Sequence, residues 1–186
     1  MPNYQITEYC HTFLKQQIHP EDLCIDATAG NGHDTLLLCR LTGPKGRVLA
    51  FDIQEQALHA TRIRLEKEKL KNFQLFLESH TRMDVHCAPE SASCIVFNFG
   101  YLPGGDHSLS TRASSSLEAL PKALTLLKKG GLLSLCIYSG GDTGFEERDA
   151  ILNWLSTLDP RRFLVIVSSY YNRPNNPPIP VLIYKL

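Results

Sequence analysis

The chain has 186 residues, of which 19 are basic, 19 acidic and 43% hydrophobic, so its formal charge is zero. That balance excludes a global field drawing the protein to nucleic acid or to an anionic membrane, and any polyanion has to meet a local patch. The length fits one domain over residues 1–186, enough to bury roughly 70% of the surface that an open chain exposes. The stretch from Met1 to His19 is polar and charged throughout, unlike a signal peptide, and no segment has the apolar length of a membrane span. Six cysteines at positions 10, 24, 39, 87, 94 and 136 form no CxxC pair, and several sit in apolar runs. They read as reduced thiols in a cytoplasmic chain. His80, His86 and Cys87 match no zinc spacing, so no metal is expected.

Taken in chain order, the pattern predicts an opening helix over Tyr4 to Gln17 and a buried strand over Leu23 to Ala27. A glycine turn leads into a helix from His33 to Leu41, then a strand over Arg47 to Ile53 and a helix over Gln54 to Leu70. Strands follow at Phe73 to Glu78 and Cys94 to Phe99. The next helix, Ser114 to Leu127, is expected to end on Gly130-Gly131 as a C-cap. Strand Leu132 to Tyr138, helix Glu146 to Leu158 and strands Phe163 to Ser169 and Val181 to Tyr184 complete the chain. Such alternation specifies an α/β fold with a doubly wound, mostly parallel seven-stranded sheet. The link from Asn172 to Pro180 is too short for a parallel crossover, so the sheet should close with an antiparallel C-terminal hairpin.

Asp26-Ala-Thr-Ala-Gly-Asn-Gly32 is a strand-to-helix turn, and Asp52 follows its last glycine by twenty residues at the end of the second strand. An acid so placed accepts hydrogen bonds from ribose hydroxyls. A dinucleotide fingerprint wants a glycine where this chain has Thr35, and a carboxylate at Asp26 would repel a pyrophosphate. The same carboxylate suits the ammonium end of S-adenosylmethionine, directly or through water. The turn therefore reads as a methyl-donor site. Strand ends gather the other loops onto the same rim: Asp52-Ile53-Gln54, Ser79-His80 and Asn98-Phe-Gly-Tyr101. Ile53 offers an apolar face for adenine, while Ser79 and His80 can hydrogen-bond its edge or the ribose, although a solvated loop histidine fits His80 equally well.

Asn98-Phe-Gly-Tyr101 resembles the [DN]PPY signature of amino-methyltransferases, in which a side-chain oxygen accepts a hydrogen bond from the substrate amine. Asn98 is then that acceptor, and Tyr101 packs on the acceptor base or faces the sulfonium. The longer string Asn98-Phe-Gly-Tyr-Leu-Pro-Gly-Gly-Asp-His107, with Asp26 to Thr35, Phe51-Asp-Ile-Gln54 and Asn172-Arg-Pro-Asn-Asn-Pro-Pro178, is similar to the YtqB/MnmM-type family over the whole chain. The resemblance implies a Rossmann-like class I methyltransferase fold. It also implies a reaction: methylation of the primary amine of 5-aminomethyl-2-thiouridine at the tRNA wobble position, with S-adenosylmethionine as donor. Carried over by residue, cofactor binding falls to Asp26, Gly30, Asn31, Gly32, Asp52, Gln54, Ser79 and His80. The acceptor side takes Asn98, Tyr101, Asp106 and Thr111, with Asp106 binding the ammonium or relaying its proton.

The sequence departs from the resemblance at Tyr138-Ser-Gly-Gly-Asp-Thr-Gly144, where relatives carry a Tyr-His-Gly-His type segment. Ser139 and Gly141 replace the two imidazoles, and Gly144 with Glu147 is left to keep the loop's shape. For the tRNA anticodon region, Arg112 and Arg173 flank the loops expected at the rim, and Tyr101 or Tyr171 could stack on a splayed base. The basic run Arg62 to Lys71 is better explained as a solvated helix face, and a homodimer would extend the RNA surface. Two other readings stay open: methylation of another exocyclic amine, such as one in rRNA, and a cofactor-binding regulatory module, which would need neither Asn98 nor Tyr101.

Overall fold

The computed structural model describes residues 5–100, 111–139 and 144–186. Seven strands form one sheet in the order β3-β2-β1-β4-β5-β7-β6. In chain order they are β1 Leu23–Asp26, β2 Arg47–Asp52, β3 Phe73–Leu77, β4 Ala92–Phe99, β5 Leu127–Ile137, β6 Phe163–Val167 and β7 Ile179–Lys185. The helices are α1 Ile6–Gln17, α2 His33–Thr42, α3 Glu55–Lys67, α4 Ala113–Leu126 and α5 Gly144–Ser156, with a short 3-10 helix at His80–Val85. All pairs from β3 through β5 are parallel, and β7 runs antiparallel to both β5 and β6. The expected hairpin is therefore present, with its second strand inserted between the first and the parallel body of the sheet.

Side chains alternate across this sheet with the two-residue period of extended chain. Cys24, Val48, Cys94, Val96 and Leu132 point to one face, where Leu14 of α1, Leu38 of α2 and Leu65 of α3 cover them. Ile25, Leu49, Ile95, Phe97 and Leu133 point to the other, under Met83 of the 3-10 helix, Leu120 of α4 and Ile151 of α5. Both faces of the central strands are thus apolar and covered, as a parallel sheet requires. The six cysteines are free and buried. Among the described residues no helix is long and apolar enough to cross a membrane.

Among the element boundaries, the junction of α4 and β5 differs most from the sequence expectation. Gly130-Gly131 does not cap a helix, because α4 ends at Leu126 and β5 begins at Leu127 and runs through both glycines. The register between β4 and β5 is irregular between Ala92 and Cys94, and Gly130 takes φ +76° there. A bulged strand and a helix cap both ask for a residue tolerant of positive φ, so the glycine pair alone does not distinguish them. Strand pairing decides: Leu127 is already in register with Ala92 of β4 ahead of the glycines, and Gln17 of α1 donates to the Gly130 carbonyl at 2.8 Å.

Candidate functional site

Strand order reverses between β1 and β4: the chain winds outward to β2 and β3 on one side and to β5 on the other. The crevice at the carboxyl ends of these two strands is where such sheets bind ligands. The glycine turn after β1 borders it. Gly30 and Gly32 adopt φ +51° and +75°. A Cβ on Gly32 would lie 2.8 Å from Thr61 Oγ1, so the position needs glycine for both conformation and space. Thr61 Oγ1 donates to the Gly30 carbonyl at 2.9 Å, and Arg64 Nε donates to the Asn31 carbonyl at 2.7 Å. Helix α3 thus grips the turn from behind by its backbone carbonyls.

Asp52 closes the other side. Its Oδ2 accepts from the Gly30 amide and its Oδ1 from the Gln54 amide, both at 2.9 Å. The carboxylate is half-buried and fixed by two N–H groups, while Ile53 beside it is 54% exposed. A carboxylate able to take two ribose hydroxyls next to an uncovered apolar side chain is a donor set that fits an adenosine-bearing cofactor. Gln54 is buried, and its Oε1 accepts from Gln56 Nε2.

The fold places three further expected cofactor residues, Asp26, Ser79 and His80, as follows. Asp26 is fully buried; its Oδ2 accepts from Thr35 Oγ1 at 2.6 Å and its Oδ1 from the Thr28 amide at 3.2 Å. Asp26 thereby supports the turn from beneath. Burial, reinforced by the nearby Asp34 charge, pushes the Asp26 carboxyl up to about 7. Ser79 caps the 3-10 helix, its Oγ accepting from the Thr81 amide at 3.2 Å. His80 is a core residue rather than a rim residue: its ring packs edge-on against Phe97 and its buried Nε2 has no hydrogen-bond partner. Desolvation pushes its pKa down to about 4, which keeps the ring neutral.

Asn98, near the end of β4, is joined to the glycine turn by its backbone, whose N–H donates to Thr28 Oγ1 at 2.7 Å. Its side chain meets two residues that the sequence reading did not select. Asn98 Nδ2 donates to Asp34 Oδ2 at 2.7 Å, and His11 Nε2 lies 2.6 Å from Asp34 Oδ1. Asp34 stands in the first turn of α2, where an acid is ordinarily read as a partner of the helix dipole. His11 comes from α1. Both side chains are 14% exposed. Although burial alone would raise the Asp34 carboxyl and lower the His11 ring, their contact reverses both, holding Asp34 below and His11 above the ordinary value. Nothing in the local sequence marks the trio, because Asp34 and Asn98 lie 64 positions apart.

Tyr101, Asp106 and Gly141 fall outside the described residues, but both edges of the Asn98 loop are visible. Thr111, expected on the acceptor side, is instead a bridge: its Oγ1 accepts from the Gly100 amide and donates to Glu147 Oε2, both at 2.8 Å. Ser116 Oγ donates to the other oxygen of Glu147 at 2.5 Å. Glu147 is 2% exposed, and burial raises its pKa. A Cβ on Gly144 would come within 3.2 Å of the Ser139 backbone. Glu147 thus pins α5 to the start of α4, while Gly144 lets α5 begin close against Ser139. Arg112 and Arg173 are both exposed, and Tyr171 is fully so.

This sheet order, with an antiparallel β7, a glycine turn after β1 and an acid ending β2, defines an α/β domain of the class I methyltransferase type. A family model described as "Putative rRNA methylase" matches residues 48–184, and the chain belongs to that family. A crystal structure from Clostridium thermocellum, described as a "putative rRNA-methylase", is 39% identical with TM-score 0.96, both chains being covered in full. A "putative methyltransferase" from Streptococcus mutans in complex with SAH is 39% identical with TM-score 0.90, again over both whole chains. Among curated proteins, the chloroplastic tRNA (mnm(5)s(2)U34)-methyltransferase of Arabidopsis thaliana is 37% identical over 185 residues. That alignment covers 92% of this chain, which spans 66% of the plant protein's length.

Proposed function

We propose that this chain transfers a methyl group from S-adenosylmethionine to the primary amine of 5-aminomethyl-2-thiouridine at the tRNA wobble position, giving 5-methylaminomethyl-2-thiouridine. The observation that carries the reading is the 2.7 Å bond from the Asn98 backbone amide to Thr28, which sets an amine-accepting side chain against the cofactor turn. The SAH complex of the Streptococcus mutans relative supports the cofactor, and the name of the plant relative supports the substrate.

S-adenosylmethionine supplies, when bound, an electrophilic methyl group on a sulfonium. Asp52 would hold the ribose, Gly30, Asn31 and Gly32 would let the cofactor lie against the turn, Ile53 would offer the base an apolar face, and Gln54 caps α3 beside them. Asp26, from below, keeps the turn in shape. Asn98 accepts a hydrogen bond from the substrate amine, orienting its lone pair for in-line attack; alignment of this kind can supply roughly 7–11 kcal/mol of the barrier. An alkyl amine titrates near pH ~10, so it arrives protonated and must lose a proton first. Asp106 receives that proton, and Tyr101 stacks on the wobble base. Arg112 and Arg173 meet the anticodon backbone, with the cytoplasm as the setting and a homodimer as the means of widening the surface.

Nucleoside mass spectrometry tests this on tRNA from a strain lacking the gene, before and after incubation with purified protein and S-adenosylmethionine. The expected result is one added methyl on 5-aminomethyl-2-thiouridine, lost in Asp52→Ala. No added methyl despite measured cofactor binding overturns the substrate and directs the search to rRNA. An Asp106→Asn variant with unaltered kcat between about pH 6 and 9 removes Asp106 from its role as proton acceptor.

A further inference from the structure

We propose that Asp34 and His11 are positioning residues that fix which end of the Asn98 amide faces the substrate. This rests on the function proposed above and adds to it the reason that Asn98 can act as an acceptor. The amide oxygen and nitrogen of an asparagine are nearly the same size, and its terminal torsion has two almost equivalent states. An unanchored Asn98 would present Nδ2, a donor, to the incoming amine about as readily as it presents Oδ1.

The surroundings break that symmetry. An ionised carboxylate only accepts, so Asp34 Oδ2 at 2.7 Å must meet the Nδ2 end of Asn98. Oδ1 is then left as the end that can face an amine. Asp34 in turn is turned by His11, whose Nε2–H donates to the other carboxylate oxygen at 2.6 Å. Hydrogen bonds therefore run in one direction, from imidazole and amide into the carboxylate. Charge keeps them so: the helix N-terminus beneath Asp34 and the neighbouring imidazole both favour its ionised form. His11 also faces Glu8, 4.0 Å away on α1. Phe13, Leu14 and Ile18 of the same segment fill the adjoining core, so the imidazole is carried on a packed helix rather than a loop.

A swap tests the direction of the hydrogen bonds apart from the packing. Asp34→Asn offers a donor where Asn98 needs an acceptor, releases the amide to rotate, and is expected to lower kcat roughly 10- to 100-fold with KM for S-adenosylmethionine within about threefold. Asn98→Asp alone sets two carboxylates against each other and also lowers kcat. The double variant Asp34→Asn/Asn98→Asp restores the pattern. Its amide, now on α2, can accept from His11 and donate to the carboxylate now on β4, which keeps its second oxygen for the amine. The kcat of this double variant should recover to within about tenfold of the parent. His11→Gln, which can still donate, should stay within about threefold, and His11→Phe should not.

The side-chain amide NMR signal of Asn98, identified by its loss in Asn98→Asp, should shift in Asp34→Asn with no tRNA present. Retention of kcat within about threefold by Asp34→Asn, or a double variant no better than that single one, overturns the proposal. An unmoved amide signal does so as well. If the parent methylates no wobble amine at all, the function fails while the amide signal still decides the orientation of Asn98.

Discussion

The two halves of the crevice are held by different means. On the cofactor side the fixed points are backbone groups: Asp52 takes the amides of Gly30 and Gln54, while Thr61 and Arg64 grip the carbonyls of Gly30 and Asn31. On the acceptor side the outcome depends on side chains meeting side chains, His11 with Asp34 and Asp34 with Asn98. A site built on backbone groups constrains only those few positions that shape the turn, so it recurs as a short motif. One built between side chains from α1, α2 and β4 leaves no local signature, and it can be altered without disturbing the chain's path.

Substitutions on the two sides should separate accordingly. Asp52→Ala removes a charged acceptor of two hydrogen bonds along with an anchor of the turn; calorimetry should show SAH affinity reduced by at least ~100-fold. Gly32→Ala places a Cβ against Thr61 in a backbone region that L-residues avoid, which costs about 2–4 kcal/mol. That should appear as a melting temperature lower by roughly 10 °C, partly recovered by adding Thr61→Ala; an unchanged melting curve would mean that the turn is not rigidly held.

Asp26→Asn is a test beneath the cofactor turn. Burial pushes the folded carboxyl up to about 7 from an unfolded value of 3.8, so its stabilising contribution is complete below about pH 4 and is lost as pH rises through about 7. The neutral variant should gain stability relative to the parent as pH rises across that window, read as a larger advantage in urea titrations at pH 8 than at pH 4. Equal differences at both pH values would contradict an ionised Asp26 buried at a cost. The smallest effect is expected at the rim: Arg173→Ala should raise KM for tRNA about two- to fivefold at low salt and less at high salt, with SAH affinity unchanged.

The same contrast explains what the sequence disclosed. While the strand order needed the structure, periodicity located every strand, because burial on both sides of a parallel sheet forces apolar runs at regular intervals. It mistook Gly130-Gly131, where a bulge and a cap make the same demand on the backbone. Asp52 and Asn98 were visible because strand ends are where such folds place their ligands. The depth of His80 is not legible in the sequence, since a loop histidine looks the same whether it turns outward or, as here, packs against Phe97. Asp34 stands at the N-terminus of α2, where the helix dipole by itself accounts for an acid, so its place beside Asn98 is not legible in the sequence. His11 carried no signal, because only the docking of α1 on the sheet brings it near.

The insertion of β7 between β5 and β6 also has a consequence for synthesis. β6 is made first, yet among the described strands it pairs only with β7. Until Ile179 to Lys185 leave the ribosome, β5 presents an unpaired hydrogen-bonding edge and Phe163 has no sheet to join. A translation product broken off before Ile179 would therefore carry an intact glycine turn but an open, apolar sheet edge, making it a substrate for chaperones and proteases rather than a partly active enzyme.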